Sequence, residues 1–465
     1  MAERILFLTG HLARARLEKV LVETGYLGFE SSVVDVGVKV AALMTEAIIA
    51  RRLPRPVDAN RVMVPGRCRA DLERLTAEFG VPFERGPDEL KDLPAFFGKH
   101  GRGLDLSRYD MRIFAEIVDA SALGVDAIIA RAASLRAAGA DVVDLGCLPD
   151  TPFPHLEDAV HALRASGYDV SVDSADTEEL RRGGRAGAHF LLSLTEATVH
   201  FASETSAIPV LIPTTHGDLP SLLRAAEAAD KRGISAILDP VLDPIHLGLM
   251  DSLGRYAELR RRLPAAEILM GTGNLTELTD ADSDGVTAVL LGICSELLIR
   301  NLLVVQVSPH TRRTVQEHDA ARRMMFAARE DKSIPKDYGA ALLALHDRKP
   351  FPNTPSEIVE LAAQVKDANF RIEIAEDGIH VYNRNGHSVA QDAISLFTRL
   401  GVDKDGPHAF YLGTELMKAE IAWRLGKRYA QDSPLDWGCA VDRPTADLTR
   451  LAAAEHTLLA VKRLT

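Results

Sequence analysis

Between residues 112 and 310, short apolar runs return at intervals of about 20 to 35 residues, each followed by a polar or Gly/Pro-containing loop and an Ala/Leu/Arg-rich stretch. The runs are Ile113–Val118, Val142–Leu145, Val170–Asp173, Phe190–Leu194, Val210–Pro213, Ala236–Leu238, Ile268–Met270 and Leu302–Val307. Short apolar runs bounded by turn signals read as buried strands, and the longer stretches between them read as helices. Eight such repeats predict an α/β fold with a central (β/α)8 barrel over 109–315. A doubly wound open sheet is the alternative, because the interval after the fourth strand is short. The same alternation opens the chain on a smaller scale. Strands at Ile5–Leu8, Ser32–Val36 and Arg61–Val64, with helices at Leu12–Thr24, Val40–Arg51 and Arg69–Phe79, predict an open α/β domain over 1–108, and Lys99–Gly103 reads as its exposed exit. After Thr311 the strand rhythm stops. A helix at His318–Arg329, a linker at Pro350, Pro352 and Pro355, a hairpin of Phe370–Ile374 with Gly378–Tyr382, and an amphipathic helix at Leu412–Leu425 predict an α+β module over 316–465.

Length agrees with this division, since 465 residues at about 150 per domain suggest three. Acidic residues outnumber basic ones 66 to 54, a net charge of −12, which argues against a nucleic-acid-coating role. Four cysteines without a CxxC pair argue against structural zinc or a disulfide framework and fit a reducing cytoplasm. The apolar run at Ile5–Leu8 is too short for a signal peptide. Val286–Val307 is interrupted by Glu296 and Arg300, so it reads as a helix and a strand, and no membrane span is expected.

In such a barrel the C-terminal strand ends and the loops after them build the active site. Here those ends are acidic. The first strand ends in Glu116-Ile117-Val118-Asp119, the second in Asp144-Leu145-Gly146-Cys147 and the third in Asp173-Ser174; Glu196 follows the fourth, and the sixth runs into Asp239-Pro240 with Asp243 and His246 beyond. Ser193, Thr195, Thr214, Thr215, His216, Asn274, Gln306 and His310 add polar groups at other ends. A lone strand-end carboxylate is commonly a helix N-cap, and Asp150, Asp176 and Asp218 read as caps or turn residues. Five or more carboxylates converging on one rim need a cation or a donor-rich ligand among them. The guanidine-like edge of a pterin matches paired carboxylates, and Mg²⁺ with a diphosphate is the other chemically sensible occupant. Cys147 reads as a small buried thiol, His216 and His246 as rim-loop histidines, and the Thr9-Gly10-His11 turn lacks any nucleotide-binding pattern.

Three segments, Gly187-Ala188-His189, Val170-Ser171-Val172-Asp173-Ser174 and Ile237-Leu238-Asp239-Pro240, resemble the pterin-binding barrel of dihydropteroate synthases, which pterin-dependent corrinoid methyltransferases share. Met270-Gly271-Thr272-Gly273-Asn274-Leu275-Thr276-Glu277-Leu278, Gly86-Pro87-Asp88-Glu89-Leu90-Lys91-Asp92-Leu93-Pro94 and the stretch from Phe410-Tyr411-Leu412-Gly413 to Gln431-Asp432-Ser433-Pro434-Leu435 are similar to the dihydropteroate synthase-like proteins of archaea and methylotrophic bacteria associated with tetrahydromethanopterin metabolism. The resemblance spans nearly the whole chain. It implies a pterin-binding barrel with a reduced pterin as ligand or substrate, Asp173 contacting the pterin near its methylene, and Asp239 gripping the 2-amino and ring N–H edge. Ser193 or Thr195 stands where the synthases carry an asparagine, and Asp144 lies on the strand whose loop helps hold substrate. Glu116, Asp119, Glu196, Asp243, His246, Gly271, Asn274, Gln306, His310 and Arg312 complete the candidate substrate-binding set.

Two departures from the synthase pattern shape the expected function. The lysine of strand seven is replaced within Gly273-Asn274-Leu275, and the Arg-x-His of strand eight by Gln306-Val307-Ser308-Pro309-His310, with Arg312 and Arg313 following. Both losses argue against ordinary synthase activity, since expelling diphosphate needs cationic compensation from Mg²⁺ or from such arginines. The leading expectation is a transferase joining a dihydropterin-methyl group to an arylamine in tetrahydromethanopterin or folate-like cofactor synthesis. The alternatives are a tetrahydropterin-dependent methyltransferase and a non-catalytic pterin-binding or assembly subunit. The helix around Val286–Ile299, apolar on more of its circumference than a solvated helix, predicts a homodimer or docking onto the chain's own terminal domains.

Overall fold

The computed structural model describes residues 3–442 apart from 12, 25–27, 39–40, 42–43, 88–89 and 98–104. The expected connection at Lys99–Gly103, and Asp88-Glu89 of the first-domain motif, lie outside the described residues. By its contacts the chain forms two compact units, one of Asp105–Ala344 with Trp437–Val441, the other of the described residues of Met1–Leu104 and Leu345–Asp436 with Asp442.

The second of these begins with four parallel strands, β1 (Glu3–Thr9), β2 (Phe29–Asp35), β3 (Arg61–Val64) and β4 (Phe83–Arg85), in the order β2-β1-β3-β4. Strand β1 is apolar without alternation because both of its faces are covered: Leu6 and Leu8 enter one cluster and Ile5 and Phe7 the other. The expected open sheet therefore gains β4, whose three residues are too few to carry a period.

The barrel strands are β5 (Arg112–Ile117), β6 (Val142–Gly146), β7 (Asp169–Asp173), β8 (Phe190–Leu194), β9 (Ile208–Leu211), β10 (Ile237–Leu238), β11 (Glu267–Gly271) and β12 (Asn301–Val304). Each is parallel to its neighbours and β12 closes on β5, so the expected eight-stranded barrel is present and the open sheet is excluded. Residues two apart on a strand share a face. That rule fills the interior with Phe114, Val142, Phe190, Leu192, Val210, Ile237 and Leu269, while the larger cluster packs between strands and outer helices. The next inward steps toward the C-terminal ends are Glu116, Asp144, Ser171 with Asp173, and Asp239. An apolar plug is thereby topped by a ring of carboxylates.

The helix Ser283–Glu296 owes its apolar circumference to packing within this unit: Thr287, Leu290, Leu291 and Cys294 are buried, it lies against the helix Thr314–Glu330, and Val289 is left exposed. At the opposite end of the barrel Arg322, on that second helix, is fully buried, bonded to Asp141, Asp319 and the carbonyls of Met111 and Gly139. Among the described residues no helix is long and apolar enough to cross a membrane.

In the other unit β13 (Arg371–Ala375) and β14 (Gly378–Asn383) form the expected hairpin, extended by β15 (Gly386–Ala390), and pack on the helix Gly406–Leu425. Strand β15, Gly-His-Ser-Val-Ala, is polar and half-exposed, which hid it from an apolar-run reading.

Candidate functional site

Strand register brings the ring together. Glu116 on β5 stands beside Asp144 on β6, Asp144 beside Ser171 on β7, and Gly146 beside Asp173. A Cβ at Gly146 would lie 2.5 Å from Glu116 Oε1, so glycine at the end of β6 makes room for the Glu116 carboxyl.

The three aspartates are held in one way. Asp144 Oδ1 accepts the Ser171 hydroxyl; Asp173 Oδ1 accepts the Ser193 hydroxyl at 2.6 Å; Asp239 Oδ1 accepts the Tyr256 hydroxyl at 2.7 Å and the Val241 N–H at 2.8 Å. In each, the second oxygen takes no hydrogen bond from a described residue, and Asp144 Oδ2 is wholly buried and unpaired. Glu116 makes no hydrogen bond to a described residue, and no described Lys, Arg or His forms an ion pair with any of the four. An anchored oxygen fixes each carboxyl in place and leaves the other without a described donor.

Burial raises these acids. Burial, and then the Asp173 charge, pushes Glu116 up to about 7. Burial lifts Asp239 to about 6 against its Tyr256 and Val241 hydrogen bonds. Asp144 is held well above the ordinary range by burial and by the Asp173 and Glu116 charges, while burial raises Asp173 against the Ser193 hydrogen bond.

Ser193 serves from a left-handed backbone, φ +74°, where β8 shifts register against β9. Positive φ suits asparagine far better than a β-branched residue. Ser193→Val, which also loses the bond to Asp173, is expected to cost about 2 kcal/mol and Ser193→Asn under about 1. Urea unfolding decides this; equal losses for the two variants would mean that neither backbone nor hydroxyl matters there.

The remaining candidates lie elsewhere. Asp119 is exposed at the start of a 3₁₀ turn without a capping bond. Glu196 pairs with Arg224 on exposed surface. Asp243 is almost fully buried but committed to Arg255 and His216, both at 2.8 Å. His246 is exposed at φ +69°. Thr195 is tied to Thr198, His310 to the Thr276 carbonyl, and the Asn274 amide to the Leu242 carbonyl. Gly271 ends β11 facing open space. Gln306 and Arg312 line a cavity on the flank of the barrel. Burial and the neighbouring Glu179 push the Cys147 thiol far up, away from a thiolate. Asp176 and Asp218 cap helices, and Asp150 sits in a turn at φ +56°.

Sequence reasoning missed Ser171, Tyr256 and Glu277. Ser171 had a signal, a polar residue two before Asp173 and so on the same inward face. Tyr256 had none, because it reaches Asp239 from an outer helix. Glu277 binds the backbone N–H groups of Val307 and Ser308 and the Thr311 hydroxyl, so the motif that carries it ties the loop after β12 in place. Among the described residues no group of three or more His, Cys, Asp or Glu is arranged to hold a metal ion. The Mg²⁺ expectation therefore finds no ligand set.

Residues 3–88 match a family of unknown function, DUF6513. An uncharacterized protein of Methanocaldococcus jannaschii is 25% identical over 525 aligned positions, covering 93% of this chain and 99% of that protein. Among solved structures, a dihydropteroate synthase of Yersinia pestis with a pterine-sulfa conjugate is 18% identical with a TM-score of 0.38, covering 50% of this chain and 97% of its own. The dihydropteroate synthase of Thermus thermophilus is 23% identical with a TM-score of 0.36, covering 49% and 96%.

Proposed function

We propose that the barrel mouth binds a reduced pterin by its 2-amino and ring N–H edge and serves a transferase that joins the pterin's 6-methylene carbon to an arylamine during folate-like or tetrahydromethanopterin cofactor synthesis. The observation that carries this reading is the repeated carboxylate geometry: Asp144, Asp173 and Asp239 each anchor one oxygen on a protein donor, and none of them forms an ion pair with a described Lys, Arg or His. The Asp239 carboxylate accepts hydrogen bonds, which is the complement of a fused aminopyrimidinone edge, while Glu116 and Asp144, raised by burial, keep protons that can be donated. Asp239, lifted to about 6 and ionised at neutral pH, takes the donor edge. Asp173 orients the methylene region. As the amine nitrogen forms its bond to the methylene carbon, the carbon–oxygen bond to diphosphate breaks, diphosphate leaves with its electron pair and the amine gives up a proton; since no described residue of the ring supplies a cation, the charge of the leaving diphosphate would have to be met by a cation that arrives with the substrate.

The test is calorimetric titration of the full chain with 6-hydroxymethyl-7,8-dihydropterin diphosphate and, separately, with tetrahydromethanopterin. Micromolar binding of the first, at least tenfold tighter than the second, is the expected result. Preference for the completed cofactor would move the assignment to one-carbon transfer, and no binding of either would overturn the pterin reading.

A further inference from the structure

The helix Gly406–Leu425 buries one face, with Leu412, Leu416, Ala419 and Ala422, against β13 and β14. The opposite face of a solvated helix is polar. Here its exposed positions, spaced three and four apart, read Phe410, Thr414, Met417, Ile421 and Arg424, with Phe410 76% and Met417 46% exposed. Ile394, on the helix Ala393–Phe397 packed against it, is exposed as well. A contiguous row of large apolar side chains marks a surface that something covers. Gly413 adds a second signal. It lies one turn from both Phe410 and Met417, and a Cβ there would meet no described residue within 4 Å. Glycine inside a helix is unfavourable, and the notch it leaves beside the stripe is open to a side chain from elsewhere.

The chain itself supplies a matching segment. Residues 443–465 lie outside the described residues, and their sequence carries helix signals: Pro444 and Asp447 suit a first turn, Lys462 and Arg463 a last one, and no glycine or second proline intervenes. Leu451, Ala454, Leu458 and Val461 recur three and four apart over about three turns, the spacing and span of the stripe. Charge sets the direction. In an antiparallel pairing Asp447, one turn before Leu451, meets Arg424, one turn after Ile421, and Lys462 with Arg463 reaches Asp403 and Asp405 at the helix start. A parallel pairing would set acid on acid and base on base. Arg424 is bonded to Glu420 at 2.6 Å and is otherwise exposed. Reach is ample, because the Lys418 ammonium donates to the Ser433 carbonyl at 3.2 Å. From Ser433 to Asp447 the chain spans up to about 46 Å, against about 9 Å along the helix from Lys418 to Arg424.

We infer that residues 443–465 pack along this stripe as an antiparallel amphipathic helix, with Leu458 entering the notch at Gly413. Tethering favours this occupant over a second copy of the chain, since a linked segment is present at about millimolar effective concentration however dilute the protein. The inference does not depend on the pterin reading.

The experiment oxidises methionines of the full chain with hydrogen peroxide and reads each by peptide mass spectrometry. Met250, 75% exposed in the barrel unit, is the reference, and fully buried Met270 reports unfolding. Met417 is expected to react about tenfold more slowly than Met250, and Leu451→Asp with Leu458→Asp to bring the two rates within about twofold while Met270 stays protected. Arg424→Glu should also release Met417, and adding Asp447→Arg should protect it again. Met417 reacting as fast as Met250 in the wild type overturns the inference, as does protection that survives the two leucine changes. If that surviving protection fades on dilution and light scattering shows a dimer, the stripe belongs to a second copy instead. Failure of the charge swap to restore protection overturns the antiparallel register.

Discussion

Asp239→Asn is expected to weaken binding of 6-hydroxymethyl-7,8-dihydropterin diphosphate about 100-fold or more while leaving the thermal midpoint unchanged or higher. The isosteric change looks mild, but the geometry makes it severe. Asp239 Oδ1 accepts from the Val241 N–H, a group that can only donate, and from the Tyr256 hydroxyl. The asparagine oxygen must therefore take the Oδ1 place, and its NH₂ must face the mouth. An acceptor presented to the ligand becomes a donor pointed at the ligand's own N–H groups. A hydrogen bond to a charged partner contributes about 1.5–3 kcal/mol and a donor opposed by a donor adds a desolvation cost; together these reach the roughly 2.7 kcal/mol of a 100-fold change. Stability should not fall, because the substitution removes a buried charge and keeps both anchoring bonds. In the wild type the same logic makes pterin binding weaken as pH falls through about 6, where Asp239 takes up a proton. Calorimetry at pH 5 and pH 7.5 checks both statements. A change under threefold in the variant would mean that the donor edge lies elsewhere.

The order in which these features became visible follows from where each signal is stored. Barrel strands are local objects, and a buried strand such as Val142–Gly146 announces itself as an apolar run. Asp144, Asp173 and Asp239 were visible for the same reason, being inward positions at strand ends whose place in a barrel follows from strand order alone. What holds them was not visible in most cases. Tyr256 is 17 residues from Asp239 in sequence and comes from an outer helix, so only packing unites them. Other candidates looked alike in sequence and differ in space. Asp243 follows Asp239 by four residues, yet Arg255 and His216 take its charge, whereas no cation is placed on Asp173. Spacing cannot tell a carboxylate with a resident partner from one without. The Gly271–Leu278 motif shows the same limit: Thr272 is buried against His318 and Glu277 holds a loop, so much of its specificity is structural.

Glu116→Gln is expected to stabilise the protein at pH 8 by about 2–3 kcal/mol and to leave it unchanged near pH 4. Glu116 rises to about 7 in the folded chain from an ordinary value near 4.5, through burial first and the Asp173 charge second. Between those values the folded state keeps a proton that the unfolded state has lost, so the folded state binds more protons and unfolding free energy falls as pH rises. The favourable condition is present below about 4.5 and is lost as pH climbs through 7; a shift of this size corresponds to roughly 3 kcal/mol at 1.36 kcal/mol per unit. Glutamine keeps the shape, fits the space that Gly146 provides and never ionises, so its advantage should open across pH 5 to 8 and then level off. Relief should also reach Asp144, for which the Glu116 charge is one of the raising causes. Urea unfolding of both proteins at pH 4, 5, 6, 7 and 8 gives the curve. Parallel curves would show that Glu116 is already compensated in the free protein, and a variant less stable at pH 8 would show a favourable charge there. The expected divergence instead marks the mouth as a place where stability is given up to keep acids together, and a ligand bearing N–H donors is the partner that recovers it, because it meets the free oxygens that no described side chain meets.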